Sequence, residues 1–274
     1  DSPSFVPLTV EYREKDFAGG KIPSNFPRKE TMSEHDILIG RKIDRALRPM
    51  LPRGLSREIQ LLSTLYSYDY KNLPDVVALN GLATAILLSE VPILRGIAAV
   101  RVAYIPSQGF IAMPSAEQIA ESTMDLFYAG TWNECVMIEV EAEEVHHQDV
   151  VGAGLHHAHK ALKPMLRFQN RLIEKYGKSK LWNSVSTIDN DVMQASNQKQ
   201  KKVRKLWREA ETQSKEGRSK AQSQITKSLI GEISCEKKQY RRSDVVSAVS
   251  FQQEKYIRDL TLQYNKRIDG RELE

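Results

Sequence analysis

The chain has 274 residues, of which 41% are hydrophobic and 27% charged, and its formal net charge is +5. This composition is close to the globular average and excludes a wholly disordered chain, while the length predicts one or two domains. No uncharged apolar run approaches the ~18 residues needed to cross a bilayer, so we expect no membrane insertion. Two cysteines, Cys135 and Cys235, cannot form a disulfide framework and favour a reducing compartment. Because the chain opens at Asp1 without a start methionine, we expect a piece of a longer protein.

Positive charge is concentrated in two segments. Residues 196–243 carry 14 Lys/Arg and 5 Asp/Glu, a net of +9, whereas residues 1–195 have a net charge of −3. Residues 41–57 hold six cations interrupted by one acidic residue. Basic segments attract polyanions because binding releases condensed counterions. For 196–243 the alternative is a solvated helix face.

The first elements follow from alternation, prolines and a cap. Phe5–Arg13 alternates as a strand does, and Lys21–Lys29 contains two prolines, which predict an ordered loop. Ser33 is a good N-cap because Asp36 stands three residues later, and apolar residues then recur at helical spacing up to Pro49.

Further strands and two helices complete the first part of the chain. Ile59–Tyr68 reads as a strand, and Pro74 opens an apolar helix over Asp75–Ser89. A long amphipathic helix, Glu143–Tyr176, ends at Gly177. Four strand candidates lie between these helices: Ala98–Ile105, Phe110–Met113, Met124–Tyr128 and Val136–Glu141.

The composition changes after this point. Residues 189–264 contain no proline and two glycines, and apolar residues recur every three or four positions, which predicts three or four helices. The sequence therefore indicates an α/β or α+β domain over about 1–178, followed by an all-α module.

Motifs for common catalytic sites are missing. There is no glycine-rich phosphate loop, no H-E-x-x-H helix and no Cys-x-x-Cys pair. Five of the six histidines lie close together in the sequence: His146, His147, His156, His157 and His159. On a helix, His156 and His159 share a face and could bind one metal ion. A metal site needs further ligands, however, so a solvated or packed histidine face is favoured.

Several motifs together resemble the polynucleotide phosphorylase family. They run in family order from residue 5 to 142, and Lys266–Arg271 resembles the entry to that family's second core. The quoted segments are Leu8–Lys15, Gly20–Pro23, Phe26–Glu30, Ile43–Pro49 and Pro74–Gly81.

The resemblance implies a domain plan. Residues 1–178 are similar to the first ribonuclease-PH-like core (ribosomal protein S5 domain 2-like), 179–263 to the all-α linker domain, and 264–274 to the start of the second core. The implied fold class is an α+β core followed by an all-α helical domain. The implied activity is phosphorolytic 3′–5′ degradation of single-stranded RNA to nucleoside diphosphates, in a homotrimeric ring.

The resemblance also implies that this core is catalytically silent. The family's active core has a serine-rich phosphate turn, where this chain reads Asn72-Leu73-Pro74-Asp75. It also has paired metal-binding aspartates and a lysine, where this chain keeps Asp125 but has Ile119 and Phe127. One carboxylate is too few for a divalent ion beside phosphate. We therefore expect Mg²⁺ and inorganic phosphate to act in the full-length enzyme and not to be bound by this piece.

The residues expected to contact RNA lie in two places. Phe26, Arg28 and Lys29 match the family's RNA-binding loop, although Pro27 replaces its second aromatic residue. An aromatic face stacks a base and the cations hold phosphates. Arg41, Arg45 and Arg48, at helical spacings, would add a cationic stripe, and bracing of the loop or of a subunit contact is the structural alternative.

A second hypothesis is a stand-alone, non-catalytic RNA-binding ring scaffold of an exosome-like assembly. Details of residues 21–26 are more similar to animal than to bacterial members, which implies a mitochondrial location, with the cytoplasm as the alternative. An RNA helicase is a further candidate partner.

Overall fold

The protein is described by a computed structural model over residues 6–22, 32–142, 148–199, 201, 204–206, 208, 215–235, 240–268 and 271. It divides into two compact units, residues 5–185 and residues 186–274. The first is α+β and the second is helical, as the sequence predicts.

A parallel strand pair begins the first unit. β1 (Leu8–Glu14) pairs in register with β2 (Ile59–Leu65), Leu8 opposite Ile59. α1 (Glu34–Leu47) makes the crossover that parallel strands require. The predicted cap is confirmed: the Ser33 hydroxyl accepts from the Asp36 backbone N–H, and the Asp36 carboxylate accepts from the Ser33 N–H, both at 3.1 Å.

A second sheet has four antiparallel strands in the order β4-β3-β5-β6. It follows α2 (Pro74–Leu88), which begins at the predicted proline. A short helix that the sequence analysis missed, α3 (Ala116–Ala120), connects β4 to β5 and begins with its own capping box. The strands are β3 (Ala98–Ile105), β4 (Gly109–Ala112), β5 (Met124–Gly130) and β6 (Cys135–Ala142).

Helices cover both faces of this sheet. α4 (Gln148–Tyr176) packs Leu162 and Leu166 against one face, with Val100 and Leu126. The other face, through Ala99 and Phe127, joins the core formed with β1, β2, α1 and α2. Apolar residues of β3 and β5 are therefore buried on both sides.

The chain after α4 stays with the first unit as far as Val185. Gly177 ends α4 where a Cβ would lie 2.5 Å from the Ile173 carbonyl oxygen, so only glycine fits without a shift. Lys180 Nζ then donates to the carbonyl oxygens of Ile86, Leu87 and Ser89, at 2.9, 2.7 and 2.5 Å, and caps the end of α2. The sequence predicts a domain boundary at residue 178, seven residues before the division between residues 185 and 186. The bonds of Lys180 to the end of α2 hold this segment to the first unit, and they join residues that are far apart in the sequence.

Three helices are described in the second unit: α5 (Asn190–Gln198), α6 (Lys215–Cys235) and α7 (Arg242–Tyr264). Their buried cluster includes Val192, Ile225, Val245 and Val249. α7 ends at Asn265, which adopts the left-handed conformation with a φ of 49°. In the part of the chain that the structure describes, no helix is both long and apolar enough to span a membrane.

Candidate functional site

Charged side chains meet on the face of the sheet that is turned toward α1 and α2. Arg101 interrupts the apolar strand β3, and Asp125 lies on the neighbouring strand β5. Asp75 is the second residue of α2, and Lys42 reaches the same place from α1. Four separate elements thus contribute to one cluster.

Arg101 is the centre of this cluster. Its Nε lies 2.8 and 3.0 Å from the two carboxylate oxygens of Asp125, its Nη2 also contacts Asp125, and its Nη1 lies 3.0 Å from Asp75 Oδ2. Burial alone would lower the pKa of Arg101, but the Asp125 hydrogen bonds and the nearby carboxylates outweigh it, so its pKa is raised. The two aspartate side chains are 6% and 12% exposed, so their charges are balanced mainly by this guanidinium.

Lys42 extends the ion pairs to the rim of the cluster. Its Nζ lies 3.3 Å from Asp75 Oδ2 and 3.3 Å from Glu139 Oε2, and 4.5 Å from the centre of the Phe127 ring. Arg45 Nη1 lies 3.0 Å from the second oxygen of Glu139. Each carboxylate of the cluster therefore already has a cationic partner within the chain.

The segment before α2 holds an anion of its own. The Asp69 carboxylate accepts hydrogen bonds from the backbone N–H groups of Lys71 and Asn72, both at 2.9 Å, and from the Asn72 amide at 2.6 Å. These bonds lower the pKa of Asp69. The resemblance places the family's phosphate turn at residues 72–75. Here the backbone N–H groups of Lys71 and Asn72 are bound to the Asp69 carboxylate, whose negative charge would repel a phosphate.

The three predicted arginines, Arg41 and Arg45 of α1 and Arg48 directly after it, have different environments. Arg41 is exposed and has no ion pair within the described residues, whereas Arg45 is paired with Glu139. Arg48 points its donors inward: it binds both carboxylate oxygens of Asp44 and the carbonyl oxygens of Val6 and Leu8, the latter two at 2.7 and 3.0 Å. Arg48 therefore braces the start of β1, which is neither the loop nor a subunit contact.

A cavity of about 370 Å³ opens between α1 and the charged cluster. Arg41, Lys42 and Arg45 line it together with Asp75 and Arg101. Two of the predicted RNA contacts therefore lie beside the cluster.

Other predicted residues lie outside the described part of the chain. These are the loop residues Phe26, Arg28 and Lys29, and the histidines His146 and His147.

Two of the described histidines, His157 and His159, pack against other side chains, whereas His156 is exposed. The His159 ring bonds to the Tyr128 hydroxyl at 2.9 Å and to the Trp132 carbonyl at 3.1 Å, and His157 stacks on Phe110. Among described residues, no three His, Cys, Asp or Glu side chains are grouped as a metal site requires.

Comparison with known families agrees with this fold. The profile of the 3′ exoribonuclease family, domain 1, matches residues 1–92, and that of domain 2 matches residues 97–160. The chain belongs to the 3′ exoribonuclease family.

Curated relatives from bacteria carry one name, polyribonucleotide nucleotidyltransferase. The protein of Syntrophotalea carbinolica is 34% identical over 98% of this chain and 38% of its own length. That of Thermus thermophilus is 34% identical over 97% of this chain and 38% of its length. That of Granulibacter bethesdensis is 44% identical over 59% of this chain and 22% of its length. The predicted resemblance is confirmed, and the chain spans less than two fifths of these relatives.

A solved structure supports the fold class. Rice (Oryza sativa) Rrp46 superposes with a TM-score of 0.51 at 8% identity, over 64% of this chain and 76% of that protein. At this identity the likeness shows the fold alone. The predicted ribonuclease-PH-like α+β core with a helical region after it is confirmed.

Within this 3′ exoribonuclease family member, the charged cluster coincides with the positions that the resemblance assigns to catalysis. Asp125 is the expected metal-binding aspartate, and both of its oxygens are bound to Arg101. Phe127 stands at the lysine position, and Lys42 lies over its ring. This arrangement does not fit Mg²⁺, because a metal at Asp125 would have to displace the Arg101 guanidinium, which is bonded to both carboxylate oxygens.

Proposed function

We propose that this chain is the RNA-binding, catalytically silent part of a polyribonucleotide nucleotidyltransferase. The complete protein would degrade single-stranded RNA from the 3′ end with phosphate and release nucleoside diphosphates. Residues 1–178 would be the first ribonuclease-PH-like core, 179–263 the helical linker, and 264–274 the start of the second core. Mg²⁺ and phosphate would act in that second core.

The assembly and location follow from the same proposal. The expected assembly is a homotrimeric ring in mitochondria, and an RNA helicase is a candidate partner.

The pairing of Asp125 with Arg101 is the observation that carries the proposal of silence. A catalytic carboxylate must be available to a metal, and this one is held through both oxygens by a side chain that is itself largely buried. Asp75 shares the same guanidinium and also has Lys42, whereas Asp125 has Arg101 as its one cationic partner among the described residues, so releasing Asp125 from Arg101 would leave a buried carboxylate without a cation.

A phosphorolysis assay tests the proposal. The purified 274-residue chain, incubated with poly(A), Mg²⁺ and phosphate, is expected to release no ADP above the no-protein background. A full-length bacterial relative under the same conditions is the positive control. Phosphate-dependent release of ADP by the chain alone would refute the silent core. If the gene carries no second core after residue 274, the stand-alone ring scaffold replaces the enzyme proposal.

RNA binding is proposed for the loop and for the exposed part of α1. Arg41 is an exposed cation beside a cavity, and Arg45 lies next to it on the same helix. Because Arg48 is bonded to the backbone of β1, its removal would act on stability first. The proposed RNA contacts are therefore made mainly by Phe26, Arg28 and Lys29 together with Arg41.

Replacing Arg28 and Lys29 by alanine in a complete protein is expected to weaken single-stranded RNA binding. Two lost phosphate contacts should reduce the slope of log K against log salt by about 1.4. Fluorescence anisotropy with labelled oligo(A) across a salt series measures it.

The matched control removes two cations from α4, which packs on the face of the four-stranded sheet opposite to the charged cluster. Lys160→Ala/Arg167→Ala has the same change in net charge, and both side chains are exposed. If the loop variant and this control have the same salt slope, the loop does not contact RNA.

A further inference from the structure

The helical unit contains a basic cavity of about 270 Å³. Its cationic wall comes from Lys201, Arg204, Lys205 and Arg208, and its other wall comes from α7. The cationic wall belongs to the basic stretch 196–243, which the proposed function does not use.

Helical spacing explains how one side of the cavity becomes cationic. Lys201, Arg204, Lys205 and Arg208 recur at intervals of three and four, so a helix brings them to one face. On α7, Tyr256, Leu260 and Tyr264 recur at intervals of four and supply the facing wall.

The charges of the cavity are not balanced. Asp259 is the one carboxylate among the lining residues, and it lies 2.6 Å from Arg204 Nη2. Arg204 Nε is buried without a hydrogen-bond acceptor in the described structure. Lys201, Lys205 and Arg208 have no ion pair within the described residues. Three lining cations are therefore available to an anion.

The facing wall is aromatic and apolar. Tyr256 and Leu260 are 8% and 7% exposed and form a floor, whereas Tyr264 is 61% exposed and offers its ring. A flat ring beside clustered cations is the combination that binds a base and its phosphate.

We propose that this cavity binds a nucleotide unit, with the base against Tyr264 and the phosphates held by Lys201, Lys205 and Arg208. Phosphates of an RNA strand and those of a free nucleotide share this chemistry. The site lies in the helical unit and is independent of the proposed role of the first core.

Calorimetric titration of the 274-residue chain with ADP, with the dinucleotide pApA and with inorganic phosphate tests the site. Lys201→Ala/Lys205→Ala is expected to weaken ADP and pApA binding about tenfold or more, because charge-assisted bonds to phosphate are lost. Tyr264→Ala should weaken both about fivefold, and Tyr264→Phe, which keeps the ring face, should leave them within about twofold. Tighter binding of pApA than of ADP assigns the site to a strand, and the reverse assigns it to a free nucleotide.

Lys220→Ala/Lys227→Ala is the matched control, because these two exposed lysines of α6 do not line the cavity. Circular dichroism and thermal melts verify that each variant is folded. The proposal fails if the Lys201/Lys205 variant binds as the control does. It also fails if inorganic phosphate binds as tightly as ADP and Tyr264→Ala has no effect, since the cavity is then a general anion cluster.

Discussion

Replacing Arg101 by alanine is expected to lower the free energy of unfolding of the first unit by about 3–5 kcal/mol. The guanidinium is the shared partner of Asp75 and Asp125, whose side chains are 6% and 12% exposed. Without it, Asp125 keeps a buried charge with no cation in contact among the described residues, and Lys42 alone remains for Asp75. Urea unfolding at neutral pH, followed by tryptophan fluorescence in a Trp207→Phe background, measures the change, since Trp132 and Trp182 lie in this unit and Trp207 lies in the other.

An exposed ion pair in the same unit gives the control. Arg95 pairs with Glu134, and their side chains are 58% and 54% exposed. Arg95→Ala should therefore cost about 1 kcal/mol or less. Arg101→Lys keeps the charge but cannot bind two carboxylates with a planar fork, so it should fall between the two. Equal losses for Arg101→Ala and Arg95→Ala would show that the buried cluster is not held together by Arg101.

Asn80→Ala is expected to lower the free energy of unfolding of the first unit by about 3 kcal/mol. The Asn80 amide donates to the Ala99 carbonyl at 3.0 Å, and its oxygen accepts from the Ala99 N–H at 2.8 Å. β4 pairs with β3 only from Val102 to Ile105, so at Ala99 this side chain stands where a neighbouring strand would be. Both residues are buried, and each backbone group left without a partner costs about 1–3 kcal/mol.

Asn72→Ala provides the comparison on an exposed asparagine. Its amide bonds to Asp69 at the surface, so the substitution should change stability by about 0.5 kcal/mol or less. Hydrogen exchange of the Ala99 amide adds a local measurement, because its protection should fall in Asn80→Ala and stay unchanged in Asn72→Ala. Retained protection in Asn80→Ala would mean that the backbone of β3 does not depend on this side chain.

Local signals made much of the first unit predictable from sequence. The box of Ser33 and Asp36 fixes the start of α1, and β3 runs from Ala98 to Ile105 as its apolar pattern predicts. Both signals involve residues that are close in sequence, so they can be recognised without knowing the fold. The same holds for Gly177, where the close approach of the Ile173 carbonyl is a property of the helix end.

The charged cluster was not predictable in the same way. Asp125 could be placed by resemblance, but its partner Arg101 lies on another strand, and Asp75 and Lys42 lie on two helices. A hint was present, since Arg101 is the one charge within β3 and Asp75 follows a proline at a helix start. Arg48 shows the opposite case. Its spacing indicates an exposed stripe, whereas its bonds to Val6 and Leu8 depend on tertiary contacts.

The parallel pairing of β1 with β2 has a consequence for the order of folding. Leu8 meets Ile59 only across the whole of α1, whereas Ile105 meets Gly109 across a tight turn. Loop closure is costlier for distant segments, so contacts within the β3–β4 and β5–β6 hairpins can form early and the β1–β2 ladder must wait for its crossover. During synthesis, β1 therefore leaves the ribosome well before β2, and this ladder can form only after the segment that contains α1 has been made.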